Sequence, residues 1–456
     1  MPPPPLRSVE HQQLALLSTI HPLARVSVPL IEALGLTLAT SVTAAHPIPL
    51  FDNSGMDGYA VHLDDVASAS AESPVVLELV ADVAAGSAID PALPRGTAAR
   101  VMTGAPVPSD ADAVVPVEHT AEFTVHAASG GWHPQPQPQQ PEGTAESSTD
   151  AAASPSTDAA AASRTNPTIS VTTAPTAGAH IRRTGEDVGA GDTVLEAGVL
   201  LTARHLAAAA AAGAATVEVR PAPRVAVIST GSELRPPGTP IVRGQIPESN
   251  SVLVTGLVHE AGGVVVHRAT VADDEEELLA TLGSVEAAGA DLVVLTGGVS
   301  AGLYDVVRSV LSGFGTVEFA RVAMQPGKPQ AFGRLPGGTA VIGLPGNPVS
   351  VAVSFEVFAR PALLSMQGRT PVHRPTVRVV AATGWPAAPG RTQYMPITIG
   401  APSHTGGAPT VRPATSGGSG SHLVGGLAAA DGYAVVPADQ HEVRPGDELS
   451  ALLVTT

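Results

Sequence analysis

The chain has 456 residues, with 41 acidic against 24 basic, a formal net charge of −17 and no cysteine. Such a charge repels nucleic acid and anionic lipid, so no nucleic-acid or membrane partner is expected. The missing cysteines exclude disulfides, thiolate nucleophiles and Cys-ligated zinc or iron–sulfur sites.

Hydrophobic residues make up 44% of the chain and aromatics only 3%, so several domains can fold around cores of Ala, Val and Leu. Met1 to Arg7 is a proline run without the apolar centre of a signal peptide. No stretch of about 18 apolar residues is free of Gly, Pro or charge, and a cytoplasmic location is expected.

In chain order, residues 8–20 read as a short helix with Ser8 as cap and Glu10 in the first turn. A second apolar run, Val28 to Ala39, follows. From Pro74 short strands such as Val75 to Val80 and Ala113 to Val117 alternate with Gly, Pro and Asp turns. Between about Ala127 and Pro175 a Pro/Gln then Ser/Thr/Ala/Asp tract lacks hydrophobic period, which predicts a disordered insertion carrying an isolated Trp132. Order is expected to resume at His180, with a helix over Leu200 to Ala212 ended by Gly213.

From Arg224 strands and helices alternate: strand Arg224–Thr230, helix Asn250–Glu260, and strand Val264–Val271. A helix capped by Asp273 comes next, followed by strands 291–296, 317–322 and 339–343. A closing helix starts with Asn347 as cap and Pro348 at its first position. Continuous β-branched runs between helices predict a parallel, doubly covered sheet. After Gly368 a small β domain is expected.

Three strands of this α/β region end in glycine-bearing loops: Ser229-Thr-Gly-Ser-Glu-Leu, Thr296-Gly-Gly-Val-Ser-Ala-Gly and Leu344-Pro-Gly-Asn-Pro-Val-Ser. At the carboxyl ends of parallel strands such loops offer backbone N–H groups to an oxyanion. One alone could equally be a tight turn; three together point to a phosphate or carboxylate site. None is a Walker A loop or a G-x-G-x-x-G fingerprint, which argues against a nucleotide motor or dehydrogenase.

Glu233, Asp273, Asp274 and Asp305 lie near these loops, and carboxylates there suit a bridging Mg²⁺. Asp273 serves equally as a helix cap. Lys328, between Pro-Gly and Pro, stands on a rigid turn, where it either points at an anion or is a surface cation; Arg321 lies nearby.

The ordered series FDNSGMDGYA, RVMTGAPVP, IRRTGEDV, STGSEL, TGGVSAG, MQPGKP and LPGNPVS resembles the molybdopterin molybdenumtransferase family (MoeA and the gephyrin E domain) over essentially the whole chain outside the insertion. The resemblance implies a multidomain α/β protein. A central α/β molybdopterin-binding domain at 218–366 is joined by an N-terminal helix at 1–24 and a linker and dimerisation region at 25–48 and 183–217. A β-rich domain at 49–182 and a C-terminal β-barrel-like domain at 367–456 complete the chain. It implies a homodimer that takes adenylylated molybdopterin and molybdate, inserts molybdenum and releases AMP with Mg²⁺. The upstream molybdopterin adenylyltransferase is a candidate partner.

By matching positions, Asp57, Thr103, Asp187, Glu233, Asp273 and Asp305 are the catalytic candidates, with Asp273 and Asp305 on the metal. Asp57, Thr103, Arg182 and Asp187 would be contributed by the N-terminal domains across a dimer cleft. Arg182, Gly231, Gly297, Gly298, Ser300, Pro345, Gly346 and Pro348 would bind substrate, and Lys328, Ser350, Arg391 and Ser421 resemble the molybdate pocket. The chain departs from the family pattern at Ser232, in place of Asp, and at Gln325 and Arg321, in place of Lys. Thr184 interrupts a run of arginines. A pterin carrier without catalysis would be expected to lose the acids, which are present. Tungstate remains an alternative metal.

Overall fold

The computed structural model describes residues 6–121, 167–298, 306–402 and 406–454. The chain divides into two compact units, one of Met1–Val42, Leu195–Ala210 and Ala214–Thr456, the other of Thr43–Val194 and Ala211–Gly213.

The first unit is built on a six-stranded sheet. Val264–Val271, Arg224–Thr230, Leu292–Thr296 and Ala340–Leu344 run parallel, in that spatial order. Their runs are apolar throughout because both faces are covered. Val225, Val227, Leu292, Val294 and Ile342 face one core, and Ala226, Ile228, Val293, Leu295 and Val341 face the other. Helices Asn250–Glu260 and Val9–Leu17 pack on the first face, and Glu275–Ala287 and Val306–Gly313 on the second. Ser8 caps the N-terminal helix, its hydroxyl accepting from His11 N at 3.1 Å.

The expected all-parallel sheet needs correction at one edge. Pro329–Arg334 and Val317–Arg321 add antiparallel, so the sheet is mixed. The connection between them is too short for the crossover that a parallel pair requires, so it closes as a hairpin. The turn of that hairpin carries Lys328.

The expected closing helix spans Pro348–Met366, 19 residues apolar enough in composition to cross a membrane, and 89% of that stretch is buried inside the protein. It is a core helix of this unit. Its middle turn, Phe355–Ala359, has π geometry, and Phe355 and Phe358 are fully buried there. Burial of each aromatic ring contributes about 1.5–3 kcal/mol.

Beyond it, Thr392–Gly400, Thr410–Pro413, Thr376–Ala381, Glu448–Leu453 and Gly432–Val436 form a closed barrel, the last strand pairing back on the first. Closure removes the sheet edges that would otherwise invite further pairing. Tyr394 and Tyr433 of the barrel enter the same core as the closing helix, and burial raises the pKa of each phenol.

The second unit contains a six-stranded sheet in the order Ala113–Pro116, Gly58–Val61, Thr97–Val101, Val75–Val83, Thr168–Val171, Thr120–Ala121. Thr168–Val171 corrects the expected span of the insertion. Ile169 and Val171 are buried and the strand pairs with Val75–Val83, because its alternate apolar residues complete that face. Of the expected insertion, residues 127–166, with Trp132, lie outside the described residues.

Candidate active site

A cavity of about 960 Å³ opens in the first unit where the carboxyl ends of the parallel strands meet the barrel. Strand Arg224–Thr230 delivers Gly231 and Glu233 to it, strand Val264–Val271 delivers Asp273, and strand Leu292–Thr296 delivers Gly297 and Gly298. Strand Ala340–Leu344 delivers Pro345, Gly346, Pro348 and Ser350; the hairpin turn adds Lys328, and the barrel adds Arg391 and Ser421.

Glycine is required at two of these positions. Gly297 has φ +89°, and a Cβ there would lie 2.6 Å from the Thr230 carbonyl oxygen. Gly327 has φ +102°, and its Cβ would lie 2.6 Å from Ser354 Oγ. Gln330 Nε2 donates to Gly327 O and to Ser354 Oγ, both at 2.7 Å, and Val322 N donates to Lys328 O at 2.7 Å. The lysine turn is therefore held from both sides. Among the described residues neither Lys328 nor Arg391 has an ion-pair partner, so two free cations face one cavity. Arg321 does not line it.

A buried polar chain lies behind these loops. Ser229 Oγ donates to Glu248 Oε1 at 2.9 Å and lies 3.0 Å from Thr296 Oγ1, while Ser251 N donates to Glu248 Oε1 at 2.7 Å. Two strand ends and the start of helix Asn250–Glu260 are thereby locked together.

Two expected caps differ. Helix Glu275–Ala287 is capped by Asp274, which accepts from Glu277 N at 2.9 Å. Asp273, expected as the cap, instead accepts from Ser232 N at 3.0 Å through Oδ2. It lies one residue too early to reach the first helical turn. Asn347 holds the cap position of the closing helix, but its amide donates to Ser421 Oγ at 2.8 Å rather than capping. Asp273 Oδ1 and the Glu233 carboxylate have no donor among the described residues. Both are hard oxygen donors of the kind Mg²⁺ takes, although no group of three or more His, Cys, Asp or Glu among the described residues is placed to hold a metal ion. Ser300 and Asp305 lie outside the described residues.

Asp57, Thr103, Arg182 and Asp187 belong to the second unit. Asp57 accepts from Thr103 N at 2.7 Å and Oγ1 at 2.8 Å, and the backbone bond first, then the hydroxyl, holds its carboxyl below the ordinary 3.8. Strand Ile181–Arg182 pairs with Asn53–Ser54. Thr184 donates N–H and O–H to Asp52 at 2.7 and 2.9 Å, beside Arg183 Nη1 at 2.6 Å. The hydroxyl that interrupts the arginine run thus pins Asp52, at the start of strand Asn53–Ser54.

Reading the sequence missed Gln325, Ser419 and Asn250 as cavity residues. For Ser419 the Gly/Ser density of its loop was the available signal, and for Gln325 its place in the MQPGKP motif where the family has Lys; for Asn250 there was none.

Residues 7–213 match the MoeA N-terminal region (domain I and II), 226–365 a probable molybdopterin binding domain, and 378–454 the MoeA C-terminal region (domain IV). Molybdopterin molybdenumtransferase 2 of Mycobacterium tuberculosis is 40% identical over 450 residues, covering 97% of this chain and 98% of the relative. The molybdopterin molybdenumtransferase of Haemophilus influenzae is 32% identical over 80% of this chain and 78% of its own length. The crystal structure of a molybdopterin biosynthesis MoeA protein from Pyrococcus horikoshii superposes with a TM-score of 0.74 at 26% identity, covering 99% of this chain and 100% of that one. The chain belongs to the molybdopterin molybdenumtransferase (MoeA) family, enzymes of molybdenum cofactor biosynthesis.

Proposed function

We propose that the chain transfers molybdenum from molybdate to adenylylated molybdopterin and releases AMP. The observation that carries this reading is the division of labour in one cavity. Glycine loops and carboxylates arrive from the strand ends, and two unpaired cations arrive from the hairpin turn and the barrel. Backbone N–H groups of the loops suit the pterin phosphate, and Lys328 and Arg391 suit an oxyanion held beside the dithiolene. Arrangement of both reactants in one cavity supplies orientation, and the cations offset developing charge.

Asp273, with Glu233 beside it, would hold Mg²⁺, which when bound neutralises charge on the phosphoanhydride. Ser232 keeps Asp273 turned toward the cavity. Asp57, Thr103, Arg182 and Asp187, in the second unit, are candidates by family position alone.

The working form is a homodimer. The exposed Ile31 and Leu34, beside a shallow apolar groove lined by Leu30, Leu206 and Ala210, favour association. An acidic, cysteine-free chain suits the cytoplasm.

Incubation of the full chain with adenylylated molybdopterin, Mg²⁺ and molybdate tests the reading. AMP and molybdenum-loaded cofactor should appear together and in proportion. Absence of AMP release that depends on molybdate would sink it.

A further inference from the structure

Ser419 lies in the loop that follows barrel strand Thr410–Pro413 and is 9% exposed, at the wall of the cavity. Gln393 Nε2 donates to its Oγ at 3.0 Å and Gln325 Nε2 at 3.4 Å. The two glutamines are register partners, one at the barrel strand and one at the hairpin turn. The loop is tied again two residues on, where Asn347 Nδ2 donates to Ser421 Oγ at 2.8 Å and Val349 N to Ser421 O at 3.0 Å.

A hydroxyl has one proton and two acceptor lone pairs. With two amide N–H groups pointing at Ser419 Oγ, its proton is left to donate, and no acceptor among the described residues takes it. Turning the Gln393 amide over would bring Oε1 within reach of the hydroxyl, but it would also set that oxygen against Pro386 O, to which Nε2 donates at 3.3 Å; in the present orientation Oε1 is buried without a partner. The same cavity presents Lys328 and Arg391.

We infer that Ser419 donates its hydroxyl proton to the oxyanion bound beside Lys328 and Arg391, with Gln393 and Gln325 holding it in the donor orientation. The identity of that oxyanion as molybdate rests on the proposed function. The arrangement also selects. A wall that offers O–H and N–H donors suits an anion with no proton of its own, as molybdate is at neutral pH. Hydrogenphosphate carries an O–H, which would meet a donor instead of an acceptor.

Calorimetric titration of the full chain with molybdate, and separately with inorganic phosphate, tests this. Ser419→Ala should weaken molybdate binding about tenfold, the worth of one hydrogen bond to a charged group, and narrow its preference over phosphate. Ser419→Thr keeps the hydroxyl and should stay within about twofold of wild type. Ser419→Cys, close in size but a weak donor, should follow the alanine variant and guards against a folding defect in it.

Unchanged molybdate affinity in Ser419→Ala, or an equal loss in Ser419→Thr, overturns the assignment of Ser419. Failure of wild type to bind molybdate at all would instead overturn the oxyanion reading of the cavity.

Discussion

Ser232 and Asp273 hold each other by reciprocal hydrogen bonds, Ser232 N to Asp273 Oδ2 and Asp273 N to Ser232 Oγ, each at 3.0 Å. The pair ties two strand-end loops together beside the cavity, which Asp273 lines. It leaves Asp273 Oδ1 open, and it does so with a neutral residue where the family motif has an acid. A divalent ion held there, as proposed, would meet one carboxylate fewer.

Ser232→Asp should therefore lower the Mg²⁺ concentration needed for half-maximal AMP release. An added carboxylate about 4 Å from an exposed ion contributes on the order of 1 kcal/mol, or about fivefold. A Mg²⁺ titration of AMP release in both proteins measures it. An increased requirement would show that the lost Oγ bond matters more than the added charge.

Lys328→Ala and Arg391→Ala each remove one of the two unpaired cations. Either should raise the half-saturating molybdate concentration by about tenfold or more, as expected for loss of a charge-assisted bond. Pterin affinity should stay close to wild type, because the strand-end loops are untouched. Parallel titrations with molybdate and with molybdopterin separate the two effects.

Thr103→Val should return the Asp57 carboxyl part of the way toward 3.8, since it removes the hydroxyl donor and keeps the backbone N–H, the larger cause of the depression. The sign follows from linkage. A carboxyl whose pKa is lowered in the folded state contributes stability above its unfolded value. That contribution is lost as pH falls from about the ordinary 3.8 through the lower folded value. Carbon-detected NMR titration of Asp57 in both proteins reads the shift directly; an unmoved value in the variant would discount the hydroxyl.

Gly297→Ala should destabilise the first unit by about 1–3 kcal/mol, because the left-handed φ and the Thr230 carbonyl oppose any Cβ. Thermal unfolding monitored by circular dichroism checks this. Gly256→Ala, within helix Asn250–Glu260, is the control, since nothing lies within 4 Å of a Cβ at that position and its φ is not left-handed.

Much of the α/β framework was legible in the residues. Arg224–Thr230, Asn250–Glu260 and Val264–Val271 have the bounds their patterns predicted, because continuous β-branched runs and a Gly-Gly stop leave little choice. Pro329–Arg334 was missed. A strand that opens on Pro after a Pro-Gly-Lys turn carries weak local preference, and its place is decided by pairing with Ala340–Leu344. The caps went astray for a related reason. Asp273 or Asp274 could each cap by composition, and only the position of Ser232 settles which one turns to the loop.

Composition, the strand-end glycines and the ordered motifs were enough to determine the family, the α/β centre and the principal candidates on the cavity wall. They act through local backbone geometry, which the sequence states directly. Tertiary structure decided what each polar side chain is free to do. Asn347 spends its amide on Ser421, Thr184 pins Asp52, and two glutamines far apart in the chain converge on the Ser419 hydroxyl. Hydrogen-bond capacity is a property of the residue, whereas the partners that use it up come from distant segments and exist only once the chain has folded.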